Sequence, residues 1–328
     1  MNKLLVICMW LLSVNAFAQD GGVEIRKQRS FHTTIPAGNY SGITWLGGNT
    51  YAVVNDKAAE SGFHLFTIDI DTITGNILHA SEDGFRSSGM PNRDEEGICL
   101  FPSDSTVFIG GEADNEVLEY ALSGIMTGRK LKMPSVFKNA RKNAGLESLT
   151  YQQQTGRFWI TSESPLAGED TQRLQCFNDS LVPAGMWFYK MDAATEQQQE
   201  GRTVTGISAM TALPDGRLLL LEREIFITKK KIGSSVKCTI YVVNPQEVEE
   251  GSLLEKTLLT SFQTKINLTA RSFANYEGMC LGPRLADGRQ VLVLICDSQD
   301  QYRGSLKDWL KTIVIPYRDG GNTQPYRI

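Results

Sequence analysis

Apolar and polar residues alternate along most of this chain in short runs interrupted by Gly, Asp and Asn, the period expected of strands with one face in a core. Five segments repeat a single layout: a Ser or Glu, an apolar run, a polar turn, a second apolar run and a closing acid. They are SGITWLGGNTYAVVND (41–56), EGICLFPSDSTVFIGGE (96–112), ESLTYQQQTGRFWITSE (147–163), SAMTALPDGRLLLLE (208–222) and EGMCLGPRLADGRQVLVLICD (277–297). The steps from first residue to closing acid are 15, 16, 16, 14 and 20, and the last is longer because its turn, PRLADGR, is longer. Starts recur after 55, 51, 61 and 69 residues, a period too long for a helical solenoid.

A third alternating run follows each repeat: FHLFTIDI, NEVLEYAL, MWFYKM, CTIYVV and WLKTIVI. Fourth strands are expected at GNILHA, GRKLKM, GRTVT and EKTLLTSF, and the last repeat lacks one. The segment VEIRKQRSFHTT, near the N-terminus, is a strand without a partner of its own. Lending it to the last blade closes the ring and removes the exposed edges of an open array. The pattern therefore predicts an all-β propeller of about five four-stranded blades, closed by the N-terminal strand. A sixth, degenerate blade within 229–276 is the alternative. No long amphipathic helix competes, although 138–145 and 305–311 suit short turns.

In such a blade the start of the first strand and the end of the second share one edge, beside the central channel. That edge collects Glu96, Glu147 and Glu277 from strand starts, and Asp56, Glu112, Glu163, Glu222 and Asp297 from strand ends. So many carboxylates persist together only if some are protonated, paired with Arg, or bound to a cation. Arg93, Arg141, Arg223 and Arg271 are the nearby partners, and Ca²⁺ is the hard cation that an all-oxygen set prefers. The competing reading is structural: each acid accepts hydrogen bonds from the next loop and ties blade to blade. Ser41 and Ser208 replace Glu at two starts, so the ring is asymmetric, as a binding site requires.

Composition narrows the partners. Lys+Arg 33 against Asp+Glu 37 leaves a net charge of -4, which argues against nucleic acid. Residues 1–18 read as a secretory signal, with Lys3, an apolar Leu4–Val14 stretch and an A-F-A site before Gln19. The expectation is a periplasmic or secreted monomer without a membrane span, with one propeller domain over 19–318 and a flexible tail over 319–328. Outside the signal the cysteines are Cys99, Cys176, Cys238, Cys280 and Cys296. Cys176 and Cys238, placed in inserts of adjacent blades, are the pair expected to bridge if any does. There is no G-x-S-x-G elbow, no phosphate loop and no dinucleotide glycine pattern, so no nucleotide cofactor is expected. His32, His64 and His79 fall on strands and read as packed or surface residues.

Four segments, RDEEGICLFPSDSTVFIGGE (93–112), NAGLESLTYQQQTGRFWITSESPL (143–166), GISAMTALPDGRLLLLERE (206–224) and NYEGMCLGPRLADGRQVLVLICDSQ (275–299), resemble the esterase-like phytase family in order and spacing. The resemblance implies a secreted propeller with phosphoester or ester hydrolase activity. It covers Asp94, Glu96, Gly97, Glu112, Glu147, Glu163, Glu222, Arg223, Glu277, Gly278 and Asp297. Ser148 departs from it, standing where the family usually has Gly, which raises the question of local backbone shape in the third blade.

Two functions follow. One is a metal-assisted hydrolase of a small phosphoester or ester. In it Asp56, Glu96, Glu112, Glu277 and Asp297 hold Ca²⁺, Glu147 and Glu163 supply the carboxylate base, and Arg223 and Arg271 steady developing negative charge. The other is a non-catalytic propeller that binds an envelope glycan or peptide on the same face.

Overall fold

The computed structural model describes residues 22–195, 201–267, 271–302 and 306–316. The expected signal and the C-terminal tail lie outside these residues. Two short strands, β1 (Glu24–Ile25) and β2 (Arg29–Ser30), open the described chain. The first blade follows as β3 (Tyr40–Gly47), β4 (Thr50–Asn55), β5 (Glu60–Ile70) and β6 (Ile77–Pro91). The second is β7 (Glu95–Phe101), β8 (Thr106–Gly111), β9 (Glu116–Ala121) and β10 (Met126–Lys130). The third is β11 (Leu146–Gln152), β12 (Arg157–Ser162), β13 (Gln172–Asn178) and β14 (Pro183–Tyr189). The fourth is β15 (Gly201–Ala212), β16 (Leu218–Thr228), β17 (Ser235–Val243) and β18 (Lys256–Lys265). The fifth takes β19 (Asn275–Arg284), β20 (Gln290–Asp297) and β21 (Trp309–Ile315).

Each sheet is antiparallel, and β1 and β2 complete the fifth by pairing with β21, Glu24 opposite Val314 and Arg29 opposite Leu310. The propeller thus has five blades and is closed by its N-terminal segment. The stretch 229–276 holds β17 and β18, not a sixth blade. Two strand assignments are corrected. MWFYKM is the fourth strand of blade three, because QRLQCFN forms the third, and GRTVT opens blade four. QRLQCFN eluded the pattern because polar Gln172, Gln175 and Asn178 interrupt its apolar positions, yet Gln172 and Gln175 are buried and hydrogen-bonded.

Five apolar clusters hold the ring, one between each pair of neighbouring blades. Tyr40, Phe66 and Val293 pack where blade five meets blade one, and Phe108, Phe158 and Phe177 where blade two meets blade three. All five cysteines in the described chain are free and buried. Cys176 on β13 belongs to the cluster between blades three and four, and Cys238 on β17 to the next one, so the expected bridge does not form. Both lie on third strands, inside the sheets, rather than in inserts. No helix among the described residues is long and apolar enough to cross a membrane.

Candidate functional site

The innermost strands β3, β7, β11, β15 and β19 run the same way around the axis, and each shows a register shift, near its start in β3, β7, β11 and β19 and past its middle in the longer β15. In the second to fifth blades the residue between the shifted pairs is Glu96, Glu147, Ser208 or Glu277, and in the first the shift spans Ser41–Gly42. A bulge leaves one residue outside the ladder and re-aims its side chain. Here that residue is the first of every repeat, so the repeated sequence position is a repeated bulge. The next residue meets the neighbouring blade. A Cβ on Gly42 would lie 2.5 Å from the Glu96 carbonyl oxygen, and one on Gly278 2.4 Å from that of Ser41. Glycine is needed there for close approach and not for positive φ. Ser148 accordingly keeps an ordinary backbone at the equivalent place.

Arg223, at the end of the mouth-facing part of β16, is the counter-charge of this ring. Its guanidinium is buried and forms ion pairs with Glu163 of blade three and Glu277 of blade five. It also donates to Asn275 Oδ1 at 3.0 Å, and Asn275 Nδ2 in turn donates to Glu277 Oε1 at 2.8 Å. Burial works against the charge on Arg223, but Glu277, Glu163 and Glu147 more than offset it, and its pKa lies above the ordinary guanidinium value. Gly206, opposite Arg223 in the ladder, lets Glu163 lie across it: a Cβ there would fall 2.4 Å from Glu163 Cγ.

The remaining acids divide by role. Burial raises the carboxyl pKa of Glu96 and Glu147 well above normal, and neighbouring carboxylates, Glu277 for the first and Glu96 for the second, push further. Burial and then Glu277 lift Asp297 to about 8. Glu277 is also raised by burial, with Arg223 pulling back. Asp56 is raised by burial and held by Lys57 at 2.6 Å, which bridges to Asp94 at 3.0 Å.

Glu112 instead accepts the Gly145 N–H at 2.7 Å and ties blade two to blade three. Glu222 turns away from the mouth to Tyr189, Lys256 and the Asp192 N–H, at 2.5, 2.6 and 3.2 Å. For these two the structural reading of the closing acids holds.

The arginines other than Arg223 stay outside. Arg93 pairs with Asp114 at 2.8 Å, while Arg141 and Arg271 are exposed in loop bridges. Arg271 forms no ion pair with the mouth acids. None of the histidines reaches the mouth; His64, for example, contacts Glu82 at 3.0 Å within blade one. The donor chemistry of the acids, all hard oxygen, suits Ca²⁺. Among the described residues, however, no three His, Cys, Asp or Glu side chains are spaced to hold a metal ion. The chemistry of the mouth is therefore derived without one. Its charge is met by Arg223 and by Lys57, and burial shifts the remaining carboxyls toward their neutral form.

Sequence reasoning missed Asn275, which bridges Arg223 and Glu277. Its position two residues before a bulge Glu is the signal that would have found it.

A family model described as phytase-like, esterase-like activity of phytase, matches residues 35–299. No curated protein matches in sequence. Among solved structures, the endo-arabinase from Bacteroides thetaiotaomicron VPI-5482 is similar at 12% identity and a TM-score of 0.49, covering 88% of this chain and 98% of that one. Streptogramin B lyase is similar at 13% identity and a TM-score of 0.37, covering 89% and 98%. Hydrazine synthase of Kuenenia stuttgartiensis follows at 10% identity and 0.39, covering 87% and 88%.

Proposed function

This chain belongs to the phytase-like family, and we propose that it is an exported hydrolase that cleaves an ester or phosphoester of a small molecule at the axial carboxyl cluster. The observation that carries the reading is the pair Glu96 and Glu147. They are bulge carboxyls on adjacent blades, with pKa values raised by burial and then by neighbouring acids. A carboxyl whose pKa is raised keeps its proton to higher pH, which suits it to general-acid work.

In the proposed step water adds to the carbonyl carbon or phosphorus, and the bond to the leaving oxygen breaks. Glu147 gives its proton to that oxygen, and Glu277 takes one from the water. Arg223 does not bind substrate, since Glu163, Glu277 and Asn275 already occupy it. Its fixed charge beside the mouth lowers the cost of negative charge developing in the transition state. Glu163 is then a positioning residue, holding Arg223 from the blade opposite Glu277.

The family assignment supports the reaction class, and the taller fourth blade supports a one-sided substrate position. β16 continues past Arg223 to Thr228, paired with the first half of β15, and forms a wall beside the mouth. The test is turnover of p-nitrophenyl butyrate, p-nitrophenyl phosphate and phytate by the purified chain and by Glu147→Gln. The expected result is turnover of at least one compound, reduced about 10²–10⁴-fold in the variant with its melting transition intact. Binding without turnover of any ester would favour the non-catalytic propeller instead.

A further inference from the structure

A wide cavity lies at the far end of the axis from the acids. It is a funnel of about 860 Å³, within the range of small-molecule sites. Its floor is one apolar side chain from each blade, Ile43, Ile98, Leu149, Met210 and Met279, all two residues beyond the ring of bulges. The same five residues also bound the narrow space on the acid side, which amounts to only about 10 Å³. That is at the lower limit for a single water, so the channel is plugged and the two ends are separate compartments.

The buried polar side chains that line the funnel wall are already engaged in joining strands, and Gln153 and Gln154 stand exposed at its edge. Thr44 Oγ1 accepts the Leu100 N–H at 3.2 Å, and Thr150 Oγ1 accepts that of Ala212 at 3.1 Å. Thr211 donates to the Met279 carbonyl at 2.6 Å. Gln152 donates to the Leu213 carbonyl at 2.5 Å, and Gln290 to those of Gly282 and Val291 at 2.7 and 2.9 Å. Around the rim stand Trp45 and Tyr151, whose polar atoms are directed to Gly48 and Asp179. Arg284 is the one charged residue among those lining the funnel.

A concave wall whose buried hydrogen-bonding groups are used internally selects by shape and apolar area rather than by charge. We infer that this funnel is a second binding site, taking a neutral, largely apolar small molecule that lies against the methionine-bearing floor and under Trp45. Methionine suits such a floor because its unbranched thioether adapts to irregular ligand shapes. The inference does not depend on hydrolysis at the acid end.

The test is fluorescence titration of the full mature chain with N-phenyl-1-naphthylamine, an uncharged dye that brightens in apolar surroundings. The expected result is saturable binding at one site, weakened at least about tenfold, or ~1.4 kcal/mol, when Met210→Trp fills the floor. Trp45→Ala, at the partly exposed rim, should weaken it about threefold or more with the fold intact, which keeps the test decisive if Met210→Trp does not fold. Glu147→Gln, beyond the plug, should leave dye binding unchanged. No saturable binding would overturn the inference. So would binding that Trp45→Ala leaves untouched, or binding lost in Glu147→Gln.

Discussion

The two ends of the axial channel are built from the same five strands, yet they solve opposite problems. At one end the bulge residues aim Glu96, Glu147 and Glu277 at each other, with Ser208 and Ser41 completing the ring. At the other end the same strands, a few residues further on, present Ile, Leu and Met and keep their threonines hydrogen-bonded between blades. A shift of two positions along β3, β7, β11, β15 and β19 changes a charged compartment into an apolar one. The difference teaches that the bulge, rather than the strand as a whole, is the element that carries chemistry. Residues in regular register serve packing. The one released from the ladder is free to face the axis.

The largest expected effect comes from removing the counter-charge. Arg223→Met strands Glu163 and Glu277 together in a buried site. It should cost about 3–5 kcal/mol, the usual range for breaking a buried pair from one side. Glu277, whose carboxyl pKa burial already raises, can relieve the strain by taking up a proton, so the loss should be greater near pH 8 than near pH 5 when measured by urea unfolding. A pH-independent loss would mean that Arg223 acts through packing alone.

Truncating the plug provides the contrast. Met279→Ala, at a residue 4% exposed, should cost about 2–5 kcal/mol through lost burial and the cavity left behind. Because its side chain carries no titrating group and serves as part of the apolar plug, that cost should be the same at both pH values. A pH-dependent loss would show that the plug governs protonation of the acids and that the compartments are not separate.

The sequence allowed much of this to be read and concealed the rest for definite reasons. The repeat layout located four of the five blades strand by strand and the closing segment at Glu24–Ser30, because half-buried strands alternate regularly. Blade three was misread, since QRLQCFN buries amide side chains that interrupt the alternation. The mouth acids were legible as a set because the bulge falls at the same repeat position each time. Their division of labour was not. Glu112 and Glu163 occupy equivalent positions, and whether such an acid meets a loop N–H or an arginine depends on the neighbouring blade: Gly145 in one case, Arg223 in the other. Arg271 looked equivalent to Arg223 in sequence, but it lies in a loop bridge with Ile266, whereas Arg223 lies on a strand that extends through the mouth.

The smallest expected change in stability belongs to Glu147→Gln. In the folded chain burial raises the carboxyl pKa values of Glu96, Glu147 and Asp297 above the ordinary range near pH 4, where the unfolded chain releases these protons. Folding therefore takes up protons between that range and the raised values. Their contribution to stability is complete below about pH 4 and drains away as pH rises, for Asp297 through about 8. Burial lowers Lys311 to about 8, and it acts in the opposite sense above that value, so pH 5 to 8 is the window to examine. The melting temperature of the parent chain should fall across this window. Glu147→Gln, which replaces a protonated carboxyl with a neutral amide of the same shape, should match the parent near pH 5 and exceed it near pH 8. A variant less stable than the parent at pH 8 would show that Glu147 is ionised in the fold.

The most direct measurement of the central claim, that the acid mouth stores protons at neutral pH, is infrared difference spectroscopy of the carboxylic C=O stretch between the parent chain and Glu147→Gln. A protonated-carboxyl band is expected in the parent at pH 7, diminished in the variant and bleaching as the pH is raised toward 9. A parent spectrum with no such band at pH 7, gaining one only on acidification toward pH 4, would contradict it.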